Sequence, residues 1–246
     1  MGCDSGNQLY IAHDKVRECL TQLQVSPELI KHSQQLIYVK TSKWSSTTGT
    51  CFLLEKQDHN WQVIEQFDVV VGKNGLKWGQ GVHLVESDFI KQEGDGAAPA
   101  GVFQLGAAFG EKLENIPLSW PYKVVQESDI FVDDSRSNYY NQWVNTSSAE
   151  IKDWNSHELM KRLDGLYNRG LIVKHNMNPV KPTYGSAIFI HIWRSKKQPT
   201  LGCTATTQKN IELLLSWLQL PKQPLLIQLP LESGFSLTEN NIKSDF

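Results

Sequence analysis

The feature that most constrains the fold is a series of short apolar segments between Leu36 and Val71. They are Leu-Ile-Tyr-Val-Lys-Thr, Cys-Phe-Leu-Leu-Glu-Lys and Trp-Gln-Val-Ile-Glu-Gln-Phe-Asp-Val-Val-Val, and turn residues separate them. Such segments alternate or run apolar over short lengths, which is typical of strands joined in a meander. The sequence therefore predicts a mainly β chain with few helices.

Helical patterns are confined to three segments, and they define a simple domain plan. The predicted helices lie within residues 11–34, at His157–Arg169, and at Asn210–Leu218 with Thr206 or Thr207 as N-cap. We see no internal repeat and no long linker. The sequence therefore predicts a helical extension over residues 1–35 and one domain over residues 36–246.

Size and charge exclude several classes of function. The chain has 246 residues, which is ample for one large domain with an extension. Its formal net charge is −2 with both signs mixed along the chain, so no nucleic-acid partner is expected. No apolar run approaches the roughly 20 residues of a membrane span, so no transmembrane segment is expected.

Nothing in the sequence indicates a metal or another cofactor. The four cysteines are Cys3, Cys19, Cys51 and Cys203. They are too widely spaced for a CxxC pair or a zinc site. The glycine-rich loop at residues 93–99 superficially resembles a phosphate cradle, but it lacks the lysine and the following helix of a P-loop. Asp133 and Asp134 are adjacent, so on a strand they would face opposite sides.

The candidate site lies in the segment from residue 185 to residue 207. An apolar strand delivers His191, and a polar loop then leads to the turn Thr200-Leu-Gly202-Cys203. We predict that this turn stands at the entrance of the helix that follows, where amides and the helix dipole favour a thiolate. His191 would then be the base, and the amides of Gly202 and Cys203 would form an oxyanion hole.

The residues alone leave other interpretations open. A buried structural thiol and a satisfied histidine at a strand end would give the same pattern as Cys203 and His191. His83 and His175 also alternate within strand-like segments, and either could face a groove. Cys51 is predicted to be a buried strand residue, and Cys19 a packed residue on a helix.

The N-terminal sequence Met-Gly-Cys-Asp-Ser-Gly is open to three interpretations. Gly2 suggests myristoylation, but Gly6 stands where that pattern has Ser or Thr. Cys3 could be the lipidated residue of a bacterial lipoprotein. A signal segment could also have been removed from the chain, since none is visible in it.

Several segments resemble the L,D-transpeptidase catalytic domain, the YkuD-type fold. The strongest are residues 185–191, Gly-Ser-Ala-Ile-Phe-Ile-His, and residues 199–203, Pro-Thr-Leu-Gly-Cys. Residues 95–103 resemble the strand of that family that carries Pro-x-Gly-x-Phe, and residues 132–141 resemble one divergent branch. The resemblance covers roughly residues 36 to 230.

The resemblance implies a β-sandwich or mixed-sheet catalytic domain over residues 36–246. It also implies a cysteine that forms an acyl-enzyme with peptidoglycan stem peptides. Matching the motif makes Cys203 the nucleophile and His191 the base, with Thr200 and Gly202 in the catalytic turn. Neither a metal nor another cofactor is implied.

Two positions depart from the commoner motif. Leu201 replaces a histidine, and Ala205 replaces an arginine that stands two places after the cysteine. Arg194 could supply the missing positive charge. The residues expected to bind substrate are Arg194, Trp193, Ser186 and Tyr184.

The resulting functional hypothesis is an L,D-transpeptidase of the periplasm or cell envelope. With water as acceptor in place of an amine, the same site would be an L,D-carboxypeptidase. The rival hypotheses are a non-catalytic cell-wall-binding module that keeps the fold and a cysteine hydrolase of a different substrate.

Overall fold

A computed structural model describes residues 9–58, 60–112, 117–235 and residue 237. Within these ranges the chain is mainly β with a mixed sheet and a few helices, which confirms the predicted fold class. Cys3, on which the lipid-anchor hypothesis depends, lies outside the described residues.

The described residues contain fourteen strands and three α-helices. The strands are β1 (Tyr10–Ala12), β2 (Gln35–Thr41), β3 (Thr48–Gln57), β4 (Asn60–Val70), β5 (Leu76–Trp78), β6 (Ala98–Gly110), β7 (Tyr122–Val124), β8 (Asp129–Val132), β9 (Gln142–Asn145), β10 (His157–Leu159), β11 (Arg169–Val173), β12 (Phe189–Ile192), β13 (Thr204–Thr206) and β14 (Leu225–Pro230). The helices are α1 (His13–Gln22), α2 (Pro27–His32) and α3 (Gln208–Trp217), with 3-10 turns at Leu220–Lys222 and Leu231–Ser233.

Eleven of these strands form one mixed sheet. Nine follow the order β1-β4-β13-β12-β11-β6-β14-β2-β3, while β5 and β7 pair with β6. β2, β3 and β4 are antiparallel neighbours, which confirms the predicted meander. Because β3 also pairs with β4, the order of strands returns on itself. Within the nine-strand order two parallel pairs, β12–β13 and β14–β2, interrupt the antiparallel pattern, and β5 and β7 also pair with β6 in parallel.

The N-terminal segment packs on the same core as the sheet. β1 pairs with β4, and α1 buries Val16, Cys19 and Leu20 in the large apolar cluster. The Ser26 hydroxyl caps α2, and Pro27 occupies its first turn, where a missing amide hydrogen is tolerated. The helices predicted within residues 11–34 are therefore present, and a short strand precedes them.

The predicted helix at His157–Arg169 is wrong. β10 covers its first three residues and pairs with β8 in a separate three-stranded sheet, and Arg169 already begins β11. The loop between them turns at Gly165, whose positive φ of 73° suits glycine, while Leu163 is fully exposed. The apolar spacing that suggested a helix is thus divided between a strand edge and a loop.

The last predicted helix is correct. α3 begins after Thr207, whose hydroxyl accepts a hydrogen bond from the Asn210 amide at 3.2 Å. The helix buries Ile211, Leu214 and Leu215 in the main core. It thereby fixes the end of β13, the strand that directly follows Cys203.

Candidate active site

The two principal candidate residues come from neighbouring parallel strands. β12 carries His191, and β13 begins one residue after Cys203. Ile190 pairs with Thr204 and His191 with Ala205, so the turn containing Cys203 lies beside the start of β12. The fold therefore brings the two ends of the predicted motif together.

The predicted helix entrance at Cys203 is wrong. Three strand residues of β13 and the cap Thr207 separate Cys203 from α3, which starts at Gln208. The dipole of a helix acts mainly within its first turn, so it does not explain a thiolate here. Other groups must stabilise negative charge on Cys203.

The hydroxyl of Thr200 organises the nucleophile turn. It donates to the carbonyl of Cys203 at 2.6 Å and accepts from the amide of Gly202 at 3.1 Å. Gly202 has φ of 152°, a conformation that favours glycine. The Gly202 amide is therefore already engaged, which contradicts its expected role as a free oxyanion donor. The Cys203 amide remains the candidate from this turn.

The thiol of Cys203 is neutral and hydrogen-bonded in this structure. Sγ donates to the carbonyl of Ala187 at 3.4 Å and accepts from the amide of Phe189 at 3.3 Å. Burial raises the pKa of the Cys203 thiol to about 12, although the Phe189 amide acts in the opposite direction. This burial opposes the predicted ready thiolate, so a base is needed.

His191 has the protonation state that a base requires. Its Nδ1 lies 2.8 Å from the carbonyl of Ile192, so Nδ1 carries the hydrogen and Nε2 keeps its lone pair. Burial lowers the pKa of His191 to about 4, so the ring is neutral at neutral pH. The edge-to-face contact with Tyr167, at 5.2 Å between ring centroids, helps to fix the ring.

One cavity of about 500 Å³ contains both residues in its walls. Among the described residues no hydrogen bond joins Cys203 to His191, so a proton transfer needs a rearrangement or the substrate itself. Thr200, Gly202 and the predicted substrate residues Arg194, Trp193 and Ser186 also line the cavity.

Three of the histidine and tyrosine candidates lie elsewhere. Tyr184, His83 and His175 are not part of the cavity lining in the described structure. The carbonyl of Tyr184 instead lies 2.9 Å from Nε2 of His175. The expectation that Tyr184 lines the substrate site is therefore not met.

The loop after β8 holds Ala187, the residue whose carbonyl accepts the hydrogen bond of the Cys203 thiol. Asn141 accepts a hydrogen bond from the amide of Ala187 at 3.1 Å and donates to the carbonyls of His175 and Asn176. Ala187 itself has φ of 52°, which is uncommon for a residue with a side chain. Asn141 thereby holds Ala187 in position to receive the hydrogen of Cys203.

Sequence reasoning missed most of the charged cavity wall. These residues are Lys91, Glu93, Asp133, Glu158 and Arg162. The Glu158–Arg162 spacing of four residues is typical of an ion pair on a helix. The structure joins the two at 3.2 Å across a strand end and a loop. No local signal showed that they face Cys203.

A guanidinium pair borders the site on the side of β12. Arg162 donates to both oxygens of Asp164, at 2.9 and 2.7 Å, and Arg194 donates to the same carboxylate at 2.7 Å. Arg162 also lies over the ring of Tyr167, 5.0 Å from its centroid. These contacts hold positive charge at the edge of the cavity.

The described residues contain no group of three or more His, Cys, Asp or Glu side chains that could hold a metal ion. None of the described helices has the length and apolar character needed to cross a membrane.

The model of the L,D-transpeptidase catalytic domain (YkuD) matches residues 45–227. Because that match covers well over half of the 246 residues, the chain belongs to this family. The resemblance found in the sequence is thereby confirmed. Members of the family are generally transpeptidases that act on peptidoglycan in the cell envelope.

Among solved structures, the chain is similar to that of Bdellovibrio bacteriovorus Bd1075. The identity is 13%, the TM-score is 0.40, and the similarity covers 80% of this chain and 48% of that one. The chain thus spans about half the length of that protein. No curated protein matches the sequence.

Proposed function

We propose that this protein is a cysteine-dependent L,D-transpeptidase that acts on peptidoglycan stem peptides through an acyl-enzyme on Cys203. The observation that carries the proposal is the cavity that Cys203 and His191 share, with the unprotonated Nε2 of a neutral histidine available as base. A thiol with a raised pKa can still react if a neighbouring base takes its proton as the carbonyl is attacked.

The proposed reaction proceeds in two halves. Sγ of Cys203 attacks the carbonyl that joins an L-centre to a D-amino acid, while its proton passes to Nε2 of His191. The C–N bond then breaks, His191 gives the proton to the leaving amine, and a thioester remains. An acceptor amine attacks the thioester, loses its proton to His191, and returns the sulfur as a thiol.

The positive rim supports the choice of substrate class. Stem peptides carry carboxylates, and a guanidinium binds a carboxylate with directed hydrogen bonds. Arg194 has a half-exposed side chain and only one of its nitrogens on Asp164, so it keeps donors for a ligand. Ser186 and Trp193 line the same cavity and would contact the peptide. Tyr184 lies outside the cavity lining and has no role in this reaction.

Two alternatives use the same cavity. Water in place of the amine would give an L,D-carboxypeptidase. A non-catalytic wall-binding module is favoured by one observation, since the Cys203 thiol is buried and satisfied by Ala187 and Phe189. The family's usual setting supports a location in the periplasm or cell envelope, where a lipid anchor at Cys3 would attach the protein to the membrane.

The test compares Cys203→Ala with Cys19→Ala. Cys19 is a matched control because it is also buried and its pKa is also raised to about 12, but it packs in the core through α1. Turnover of a tetrapeptide stem should disappear in Cys203→Ala and persist in Cys19→Ala, with folded protein in both. Undiminished turnover by Cys203→Ala would refute the acyl-enzyme. Absence of turnover in the natural sequence, with retained peptide binding, would favour the module.

A further inference from the structure

Lys91 is a buried lysine next to the nucleophile turn, and it has no role in the reaction proposed above. Lys91 lies between β5 and β6, and only 3% of its side chain is exposed. Its amide donates to the carbonyl of Trp78 at 2.8 Å, which fixes the backbone. A buried ammonium is unfavourable unless it is paired, so its position needs a reason.

The ammonium of Lys91 has two partners in its own loop. It donates to Oδ1 of Asp95 at 2.6 Å and to the carbonyl of Gln92 at 2.7 Å. An ammonium has three hydrogens. Within the described structure, one N–H of Lys91 is therefore left for the cavity that this residue helps to line.

The side chain of Lys91 runs between two glycine turns of the site. A Cβ atom built on Gly185 would stand 3.2 Å from Cε of Lys91, and one built on Gly202 would stand 3.9 Å from it. Gly202 directly precedes the nucleophile. The absence of side chains at both positions thus allows the lysine to approach the turn of Cys203.

The positions that carry charge in the commoner family motif carry none here. Leu201 has an exposed side chain, and Ala205 is fully buried in β13. Positive charge near Cys203 must therefore come from other segments. Lys91 and Arg162 both act to lower the pKa of the Cys203 thiol, with Lys91 the stronger of the two, although burial dominates and raises it.

Several other charged or titratable groups face the same cavity. They are Glu93 after Lys91, Asp133 after β8, Glu158 and Arg162 around β10, Tyr167 before β11, His191 on β12 and Arg194 after β12. Glu158 opposes Lys91, because its negative charge raises the pKa of Cys203. Arg162 is already bound to Asp164 and Glu158. Lys91 is the cation next to the nucleophile turn itself.

We propose that Lys91 supplies the fixed positive charge that stabilises negative charge on Cys203, replacing the charged positions of the commoner motif. This role rests on the proposed function, in which that charge develops as the thiol loses its proton. In this role the glycine-rich loop at residues 93–99 positions the lysine, because its Asp95 binds the Lys91 ammonium. The loop would thus serve the nucleophile and not a phosphate.

The test measures how fast iodoacetamide alkylates Cys203 between pH 6 and 10, using the peptide that contains Cys203 as the readout. Lys91→Met should move the profile upward by about one pH unit, which is a loss of about tenfold in rate at a fixed pH below the pKa. Turnover of the stem tetrapeptide should fall in kcat more than it changes KM, because the charge acts on the reacting sulfur.

Asp95→Asn is the matched control, because it breaks the same ion pair but keeps the charge of Lys91. A merely structural role predicts equal shifts in the two variants, and that result would overturn the proposal. The electrostatic role predicts an unchanged or lower profile in Asp95→Asn. If Lys91→Met does not fold, Lys91→Met combined with Asp95→Asn removes both charges and should still show the upward shift.

The alkylation assay tests the role of Lys91 independently of the proposed function. Alkylation reports the ionisation of Cys203 without any substrate, whereas the acyl-enzyme is tested by turnover in Cys203→Ala. A folded Lys91→Met protein with the natural alkylation profile overturns the role of Lys91 alone. Turnover by Cys203→Ala overturns the mechanism and leaves the alkylation result standing.

Discussion

The cavity around His191 and the buried pair His83 and His175 differ in how their ring nitrogens are used. In His175, Nδ1 accepts from the amide of Gln80 at 3.1 Å and Nε2 lies 2.9 Å from the carbonyl of Tyr184. Both ring nitrogens of His175 therefore form hydrogen bonds with backbone groups. His191 uses only Nδ1 among the described residues, and the residue lines a cavity.

Ionisation alone does not separate the two regions. Burial lowers the pKa of His175 to about 3, that of His191 to about 4, and that of His83 as well. All three rings are therefore neutral at neutral pH. The site histidine therefore differs from the other two in its surroundings: it lines a cavity and has one ring nitrogen without a hydrogen-bond partner among the described residues. Its pKa does not distinguish it.

The largest expected effect is the loss of turnover when His191 is replaced. His191→Ala should reduce turnover of a stem tetrapeptide by roughly 10²- to 10⁴-fold, because the general base is lost. It should also slow alkylation of Cys203 at neutral pH. Kinetics and thermal melting of the purified variant measure both the rate and the fold.

His175→Ala is the control that sharpens this comparison. It should mainly reduce stability, by about 3 kcal/mol, since the Gln80 amide loses its buried acceptor. A folded His175→Ala protein should turn over near the natural rate. A larger rate loss in His175→Ala than in His191→Ala would reverse the assignment of the two regions.

The second prediction concerns Gly101, which makes room for His83. Gly101 has φ of 133°, and a Cβ atom there would lie 2.0 Å from Cε1 of the His83 ring. Gly101→Ala should therefore destabilise the fold by about 3 kcal/mol or more, because backbone and ring must both move. Urea unfolding measures the change.

Gly94→Ala is its matched control. Gly94 also has a positive φ, of 70°, but a Cβ atom there would meet nothing within 4 Å. The expected loss is about 1 kcal/mol, from backbone strain alone. Equal losses in the two variants would show that the His83 contact does not explain the glycine of the Pro-x-Gly-x-Phe segment.

The third prediction is a pH dependence of stability. The ordinary pKa of histidine is 6.5, and the folded values of His175 and His191 are about 3 and about 4. Below pH 6.5 the unfolded chain therefore binds protons that the folded chain does not, and stability falls as the pH decreases towards those folded values. Each histidine should contribute a loss of about 2 kcal/mol at pH 5 relative to pH 7.5.

Urea unfolding of the natural protein and of His191→Ala at these two pH values measures that contribution. The variant should lose less stability between pH 7.5 and pH 5, because one of the titrating rings is gone. A natural protein that is equally stable at both values would contradict the burial of neutral histidines in both regions.

Local patterns predicted the elements that depend on local chemistry. The alternation between Leu36 and Val71 gave β2, β3 and β4, and the cap at Thr207 gave the start of α3. Cys203 and His191 could be paired as candidates because a strand and a turn lie close together in the sequence. Family resemblance then supplied the chemistry.

The remaining features depend on contacts between distant segments. Strand pairing with β8 overrode the helical spacing after His157, and pairing with β12 placed β13 between Cys203 and α3. Lys91 lies next to the nucleophile turn because the fold brings Gly185 and Gly202 close to its side chain. None of these arrangements has a signal in the spacing of residues.

The most direct measurement is mass spectrometry of the protein quenched in acid during turnover of a stem tetrapeptide, followed by peptide mapping. The account predicts that the acyl part of the substrate is joined to Cys203 as a thioester that hydroxylamine releases. The acyl group on another residue would contradict the account, as would full turnover by protein whose Cys203 has been completely alkylated.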